Sequence, residues 1–129
     1  MSDTGLKNQK VTPAYAGGTI NTDTDTSGGI TIDTQGFEKV GYALHAGTVT
    51  AGTLLLKITE TDNADGTTGA AEVGSYNVQE TLSASNTVKK VETPVNKRYQ
   101  RLRITSASSA NIVVKGAIAV LSNARNAPV

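Results

Sequence analysis

The chain is patterned at a period of two. From Phe37 to Ala46, Val40, Tyr42, Leu44 and Ala46 fall on one face, and Lys39, Gly41, Ala43 and His45 on the other. Such alternation marks a strand with one side against a core. The same rule places Leu54, Leu56 and Ile58 opposite Leu55, Lys57 and Thr59 in the segment Thr53–Thr61, and Leu102 and Ile104 opposite Arg101 and Arg103 in Arg98–Thr105. The segment Ile112–Leu121 is apolar on both sides: Ile112, Val114, Ile118 and Val120 share a face with Gly116, while Val113, Ala117, Ala119 and Leu121 line the other with Lys115. A strand apolar on both faces belongs in the middle of a sheet or under a partner.

Weaker elements lie between these strands. Val11-Thr12-Pro13-Ala14-Tyr15 reads as an edge strand or an extended lead-in, because Pro13 has no N–H for a ladder. Thr19–Asp33 reads as a hairpin with its turn at Ser27-Gly28-Gly29, and Thr48–Ala51, between Gly47 and Gly52, as a short connection. Val73, Tyr76, Val78 and Leu82 give a short strand or an irregular crossing. Thr87–Val91 is a further short strand, and Ser106–Ala110 a small-residue turn. The expectation is an all-β, antiparallel β-sandwich, jelly-roll or immunoglobulin-like, of about eight short strands. Residues 1–16 form a polar N-terminal arm and lead-in, 17–122 the sandwich, and 123–129 a polar C-terminal tail.

Composition supports this class. The 129 residues include 19 Thr, 12 Val and 13 Gly, rich in β-branched side chains and turn formers, and no helical period is sustained. The absence of cysteine removes disulfides and thiolate metal sites. With 12 basic against 11 acidic residues, no bulk charge draws the chain to nucleic acid or an anionic membrane. No apolar run approaches the ~20 residues of a membrane helix. The start, Met1-Ser2-Asp3-Thr4-Gly5, carries no signal pattern, so synthesis in a cytosol is expected.

Few constellations suggest chemistry. Thr61-x-Asn63-x-Asp65-Gly66, with Glu72 six residues beyond Gly66, matches four positions of an EF-hand calcium loop. Asn63, Asp65 and Glu72 are therefore the candidate metal ligands. The strand-like flanks favour a plain polar hairpin loop with an Asp-Gly turn instead. Asp23 and Asp25 would share a strand face, where charge guards a sheet edge. His45 stands alone, without a nucleophile or acid placed by any motif. Lys89-Lys90, Lys97-Arg98, Arg101 and Arg103 are the one basic concentration, interleaved only by Tyr99, which suits solvation or an acidic protein surface better than nucleic acid.

Three stretches together resemble a family of small structural proteins encoded among the head genes of tailed bacteriophages. They are Ile32-Asp33-Thr34-Gln35-Gly36-Phe37-Glu38-Lys39-Val40; Leu44-His45-Ala46-Gly47-Thr48-Val49-Thr50-Ala51-Gly52-Thr53-Leu54 with Lys57-Ile58-Thr59-Glu60-Thr61-Asp62; and Lys97–Thr105 with Ala117–Pro128. Order and spacing over residues 30–128 carry the likeness. The family often has a Trp after the Asp-Gly turn, where Thr67-Thr68-Gly69-Ala70-Ala71 stands here.

The resemblance implies a β-sandwich virion protein that decorates or cements the capsid from outside, with no catalytic site to transfer. Its partner would be the major capsid protein, its place the capsid surface after assembly in the bacterial cytoplasm, and its state a dimer or trimer. The candidate contacts are Leu6, Lys7, Lys10 and Val11 of the arm, and Arg125 and Pro128 of the tail. No cofactor, nucleic acid or membrane is expected. The alternative is a binding module of a tail, fibre or baseplate, directed at carbohydrate; 4% aromatics and no Trp weigh against a sugar platform. An enzyme is the weakest reading, for want of a nucleophile, base and acid.

Overall fold

The computed structural model describes residues 9–21, 25–26, 29–73 and 79–124, of which 25–26 and 123–124 are described by backbone only. The described elements are all strands: β1 (Lys10–Tyr15), β2 (Gly18–Ile20), β3 (Asp25–Thr26), β4 (Ile32–Asp33), β5 (Phe37–Thr61), β6 (Ala71–Glu72), β7 (Gln79–Leu82), β8 (Val88–Pro94) and β9 (Tyr99–Ala124). Every pairing among the described strands is antiparallel.

Two strands dominate. β5 runs for 25 residues and β9 for 26, and they pair from Phe37↔Ala124 to Thr61↔Tyr99. On the free side of β9 lie β1, β2, β3 and β4 in turn; on the free side of β5 lie β8, β7 and β6. The chain thus makes four antiparallel courses, 10–33, 37–61, 71–94 and 99–124, whose lateral order is first, fourth, second, third. The central ribbon bends where its register breaks, between His45 and Thr53 on β5. Bending lays one half of the sheet over the other as a β-sandwich. The first layer holds β1, β8 and residues 37–47 and 112–124. The second holds β3, β4, β6, β7 and residues 53–61 and 99–107.

This is the all-β antiparallel sandwich expected from the alternation, and the inward residues are those the period predicts. Val40, Tyr42, Leu44, Ala46, Leu54, Leu56, Ile58, Leu102 and Ile104 are all buried. Each fully buried aliphatic side chain contributes about 1.5–3 kcal/mol. At one end the Tyr42 hydroxyl crosses between the layers and donates to Gln100 Oε1 at 3.0 Å. At one edge the Ile30 N–H donates to Ala14 O at 2.8 Å, tying the first layer to the approach to β4.

Four expectations are corrected. The segment Thr19–Asp33 is not a hairpin: β2, β3 and β4 each pair with β9 and none with another. A 26-residue neighbour offers backbone partners to all three strands, so the turn signals do not make them pair with one another. Thr48–Ala51 and Ser106–Ala110 are not connections between separate strands; β5 and β9 run through both, and the strands are long rather than short. Lys10–Tyr15 takes the edge-strand form and belongs to the sheet, which extends the body beyond 17–122 at both ends.

The fourth correction concerns β9. A bulge at Lys115–Gly116, opposite the step from His45 to Ala46, inserts one residue and changes the phase of the strand. Ile112 and Val114 point inward before it; Ala117, Ala119 and Leu121 point inward after it. Ile118 and Val120 are therefore turned outward, away from the face they would share with Ile112 in an unbroken strand.

The bend rests on Gly52. Its φ is +82°, and a Cβ there would lie 2.5 Å from Ala110 Cα and 2.6 Å from Ala107 O. Opposite it, Ser108 and Ser109 take left-handed conformations at φ 62° and 57°. Gly36, at φ +91°, has nothing within 4 Å of a built Cβ. Gly52→Ala is expected to lower unfolding free energy by about 2 kcal/mol or more, and Gly36→Ala by about 1 kcal/mol, in urea titrations. Equal costs at the two sites would contradict the close-packed bend.

Candidate interaction face

The outer face of the first layer is set by register. Val11 pairs with Val120, Val120 with Gly41, and Gly41 with Glu92; one row along, Pro13 pairs with Ile118, Ile118 with Ala43, and Ala43 with Lys90. Directly opposed residues in antiparallel strands share a face. The face therefore carries an apolar stripe on β1 and β9, a stripe of small residues on β5, and a charged stripe on β8.

Steric differences shape this surface. Val11 is 49% exposed and Ile118 45%. Gly41 and Ala43 have almost no side chain, so the surface sinks between the raised neighbours. A cavity of about 500 Å³ opens there, lined by Gln9, Lys39, Gly41, Ala43, Lys90 and Val120, among others. Lys39 Nζ and Glu92 Oε1 are 3.6 Å apart at its charged margin, both well exposed. No exposed ring lines it: Tyr42 is on the wall but turned into the core.

The outer face of the second layer is built differently. Glu72 Oε2 lies 3.1 Å from Lys57 Nζ, and its Oε1 3.2 Å from Arg103 Nη1. The loop after β5 folds across this face. The Arg101 Nε donates to Thr31 Oγ1 at 2.8 Å and its Nη2 to Asp65 O at 3.2 Å. Arg101 and Arg103 of the basic concentration are thus answered within the chain, and Lys89 stands beside Glu80 at 3.8 Å. Arg98 makes a two-pronged ion pair with Asp33, both arms 3.0 Å long, and its guanidinium lies 5.0 Å from the Tyr99 ring centre. Buried Thr34 donates to Arg98 O at 2.6 Å, fixing the β4–β5 turn to the start of β9.

The predicted site residues fall as follows. Asn63 and Asp65 sit in the loop of a hairpin and Glu72 on its returning strand β6, since Thr59 pairs with Glu72 and Glu60 with Ala71. They do not converge. Asp65 accepts the N–H groups of Thr67 and Thr68, each at 2.8 Å, and the Thr68 hydroxyl. These donors, the Thr68 hydroxyl foremost, hold its carboxyl down at about 2. Asn63 Nδ2 donates to Thr68 O at 2.8 Å. Among the described residues no three His, Asp or Glu side chains group to hold a metal ion, and no helix is long and apolar enough to cross a membrane.

Lys10 and Val11 lie on β1, Lys10 exposed at its start. Leu6, Lys7, Arg125 and Pro128 lie outside the described residues, as does Asp23; Asp25 is on β3. His45 is exposed, between Gly116 and Val88. Sequence reasoning placed Lys39, Gly41 and Ala43 on one small-or-polar face, but it did not join that face to Val11, Ile118 and Val120. The Gly41–Ala43 pair at a two-residue spacing was the available signal.

No family model matches the chain, and no curated protein matches it. Solved structures superimpose on it at low identity. Eiger TNF from S. frugiperda superimposes with a TM-score of 0.48 and 11% identity over 94% of this chain and 96% of that one. A Clostridium thermocellum xylanase 10B structure with CBM22-1 and GH10 modules, complexed with xylohexaose, gives 0.44 and 10% over 98% of this chain; the chain spans 26% of its length.

Two carboxyls give opposite pH signatures. The Arg98 guanidinium bonded to Asp33 outweighs the effect of burial and lowers its pKa. The stability it adds is present above the unfolded value of about 4 and is lost as pH falls through the lowered one. Burial raises the pKa of Glu60, assisted by Asp62 and opposed by Lys97. Glu60 Oε2 and Gln100 Nε2, on directly paired residues, have no hydrogen-bond partner among the described groups. The folded state therefore holds the Glu60 proton more tightly, and this group costs stability once pH rises above the unfolded value. Urea midpoints between pH 3 and pH 7 should show Asp33→Asn flattening the fall on the acid side. Glu60→Gln should gain stability at neutral pH and little in acid.

Proposed function

We propose that the chain is a bacteriophage capsid decoration protein, which binds the outer surface of the major capsid protein lattice and stabilises the head. Two kinds of support meet here. One, which carries the reading, is the ordered resemblance over residues 30–128. The other is the contrast between the two outer faces. The charged groups of the second layer are answered by one another, whereas the first layer leaves an apolar stripe and a trough open to solvent. A body of this design works by the surface it presents.

The physics of a shell suits such a body. Subunit seams under outward load are stabilised by added contact area, and ordinary interfaces bury about 1,200–2,000 Å². Many modest contacts repeated around a lattice sum to a large effect. A rigid sandwich keeps each contact in fixed geometry, and Lys10, at the start of β1, leads out to Leu6 and Lys7.

Purified protein mixed with expanded empty shells should saturate at a fixed ratio to the capsid subunit. Removal of residues 1–8 or 125–129 should lower occupancy by about tenfold or more at equal protein concentration, with the fold retained by circular dichroism. Binding to cell-wall glycan without binding to shells would favour a tail or fibre module; binding to neither would overturn both.

A further inference from the structure

The outward half of β9 poses a physical problem. Ile118 is nearly half exposed although it sits in the middle of a sheet, with β1 on one side and β5 on the other. Val11 beside it is equally open. A contiguous apolar stripe on a folded surface marks a contact site. Its neighbourhood says what fits it. The raised stripe of Ile118 and Val120 adjoins a trough floored by Ala43 and Gly41, and the residues face each other in register: Ile118 with Ala43, Val120 with Gly41.

We infer that this face pairs with the same face of a second copy of the chain. A two-fold axis lying in the interface, parallel to the strands and between β5 and β9, sets β9 of each copy over β5 of the other. Ile118 then enters the trough above the partner copy's alanine at the same row, and Val120 enters above the glycine. The operation is its own inverse, so both contacts form twice. Such a contact is isologous and closed, and it stops at two copies.

The same rotation sets β1 over β8, so Val11 and Pro13 of each copy lie over the stems of Glu92 and Lys90 of the other, whose charged heads reach past them to the rim, while Lys39 marks the end row of the contact. An apolar centre within a polar rim is the ordinary anatomy of a protein interface. Four strands about 4.8 Å apart and seven residues long give a footprint of about 19 Å by 24 Å in projection. That is about 460 Å² per partner before side-chain relief, below the ~800 Å² of a standard interface, so the pairing belongs with small, reversible contacts. Gly41 tolerates change, because a Cβ there would meet Glu92 Cβ only at 3.7 Å, an ordinary contact. A larger side chain at position 41 or 43 would stand in the trough, not in the core.

The pairing goes beyond the capsid reading: it gives the open face of the first layer to a second copy and leaves contact with a shell to the candidate residues of the arm and tail, and a complementation experiment separates the two. One variant loses the raised stripe (Ile118→Ser with Val120→Ser); another has the trough filled (Ala43→Phe). Both changes lie on the outer face, and circular dichroism and thermal unfolding report whether each variant keeps its fold. Sedimentation equilibrium over about a hundredfold range of concentration reads the mass, against 13.3 kDa for one chain. The wild type should approach twice that mass. Each variant alone should dissociate about tenfold or more easily. An equimolar mixture should recover the doubled mass, because the filled trough of one copy occupies the space left by the missing stripe of the other. Ile30→Ser, which removes an exposed apolar side chain elsewhere, should leave the mass unchanged.

A monomeric wild type would overturn the inference, as would a dimer indifferent to both variants, or variants that never recover on mixing. Should one variant fail to fold, the other alone still decides whether this face holds the copies together. Shell binding is read on the same samples. A monomer that coats shells refutes the pairing and leaves the capsid reading standing; a dimer that ignores shells does the reverse.

Discussion

The β5–β9 ladder is the constraint from which the rest of the molecule follows. Among the described residues its two strands are the only elements shared by both layers, so their register decides which residues face each other across the core and which face out. The short strands on either side inherit their positions from it. β2, β3 and β4 are two or three residues long, too short to hold a pairing alone. They are held because β9 supplies an unbroken line of backbone partners. Long-range pairing of this kind costs loop closure before it returns contact energy. The Thr34 bonds and the Asp33–Arg98 pair gain their importance there, since they clamp the β4–β5 turn to the start of β9.

The two outer faces show how one alternation yields different surfaces. In the second layer the outward positions of the central ribbon are Lys57, Thr59, Arg101 and Arg103, and acids or loop carbonyls come to meet them. In the first layer the outward positions are Gly41, Ala43, Ile118 and Val120. None of these residues has a polar side-chain group, and among the described residues no loop is drawn across them by side-chain hydrogen bonding. Solvent is left on a surface it solvates poorly, which is the condition that favours association.

Much of this was legible in the sequence, and the limit has a physical cause. Alternation assigned the inward sides of β5 and of the first half of β9 correctly, because period two holds wherever backbone pairing is regular. It failed where pairing is irregular. A bulge adds a residue without any change in hydrophobic pattern, so the shift at Lys115–Gly116 was invisible in a strand apolar on both sides. The turn signals at Ser27-Gly28-Gly29 misled for a related reason. Gly and Ser report that the chain bends or breaks, not what its flanks pair with, and the partner was 66 or more residues away. The loop with Asn63, Asp65 and Glu72 shows the same ambiguity in side-chain chemistry: acceptors spaced for a cation also suit the N–H groups of a tight turn, and Thr67, Thr68, Lys57 and Arg103 claimed them.

The bulge also links the fold to its surface. Without it, β9 would carry Ile118 and Val120 inward beside Ile112 and Val114, and would turn Ala117, Ala119 and Leu121 outward. The core would then gain bulk where the large side chains of Tyr42 and Leu44 already fill it, since Ala119 and Ala117 are the residues that face them across the ladder. Small residues on β9 make room for large ones on β5 inside the sandwich; outside, the sizes reverse, with Ile118 and Val120 standing beside Ala43 and Gly41. Complementary size across the pair of strands thus packs the interior, and the same reversal leaves a stripe and a trough on the exterior. The exposed apolar surface is the outward side of the arrangement that packs the core, and a substitution that smoothed one side by shifting the phase of β9 would disrupt the other.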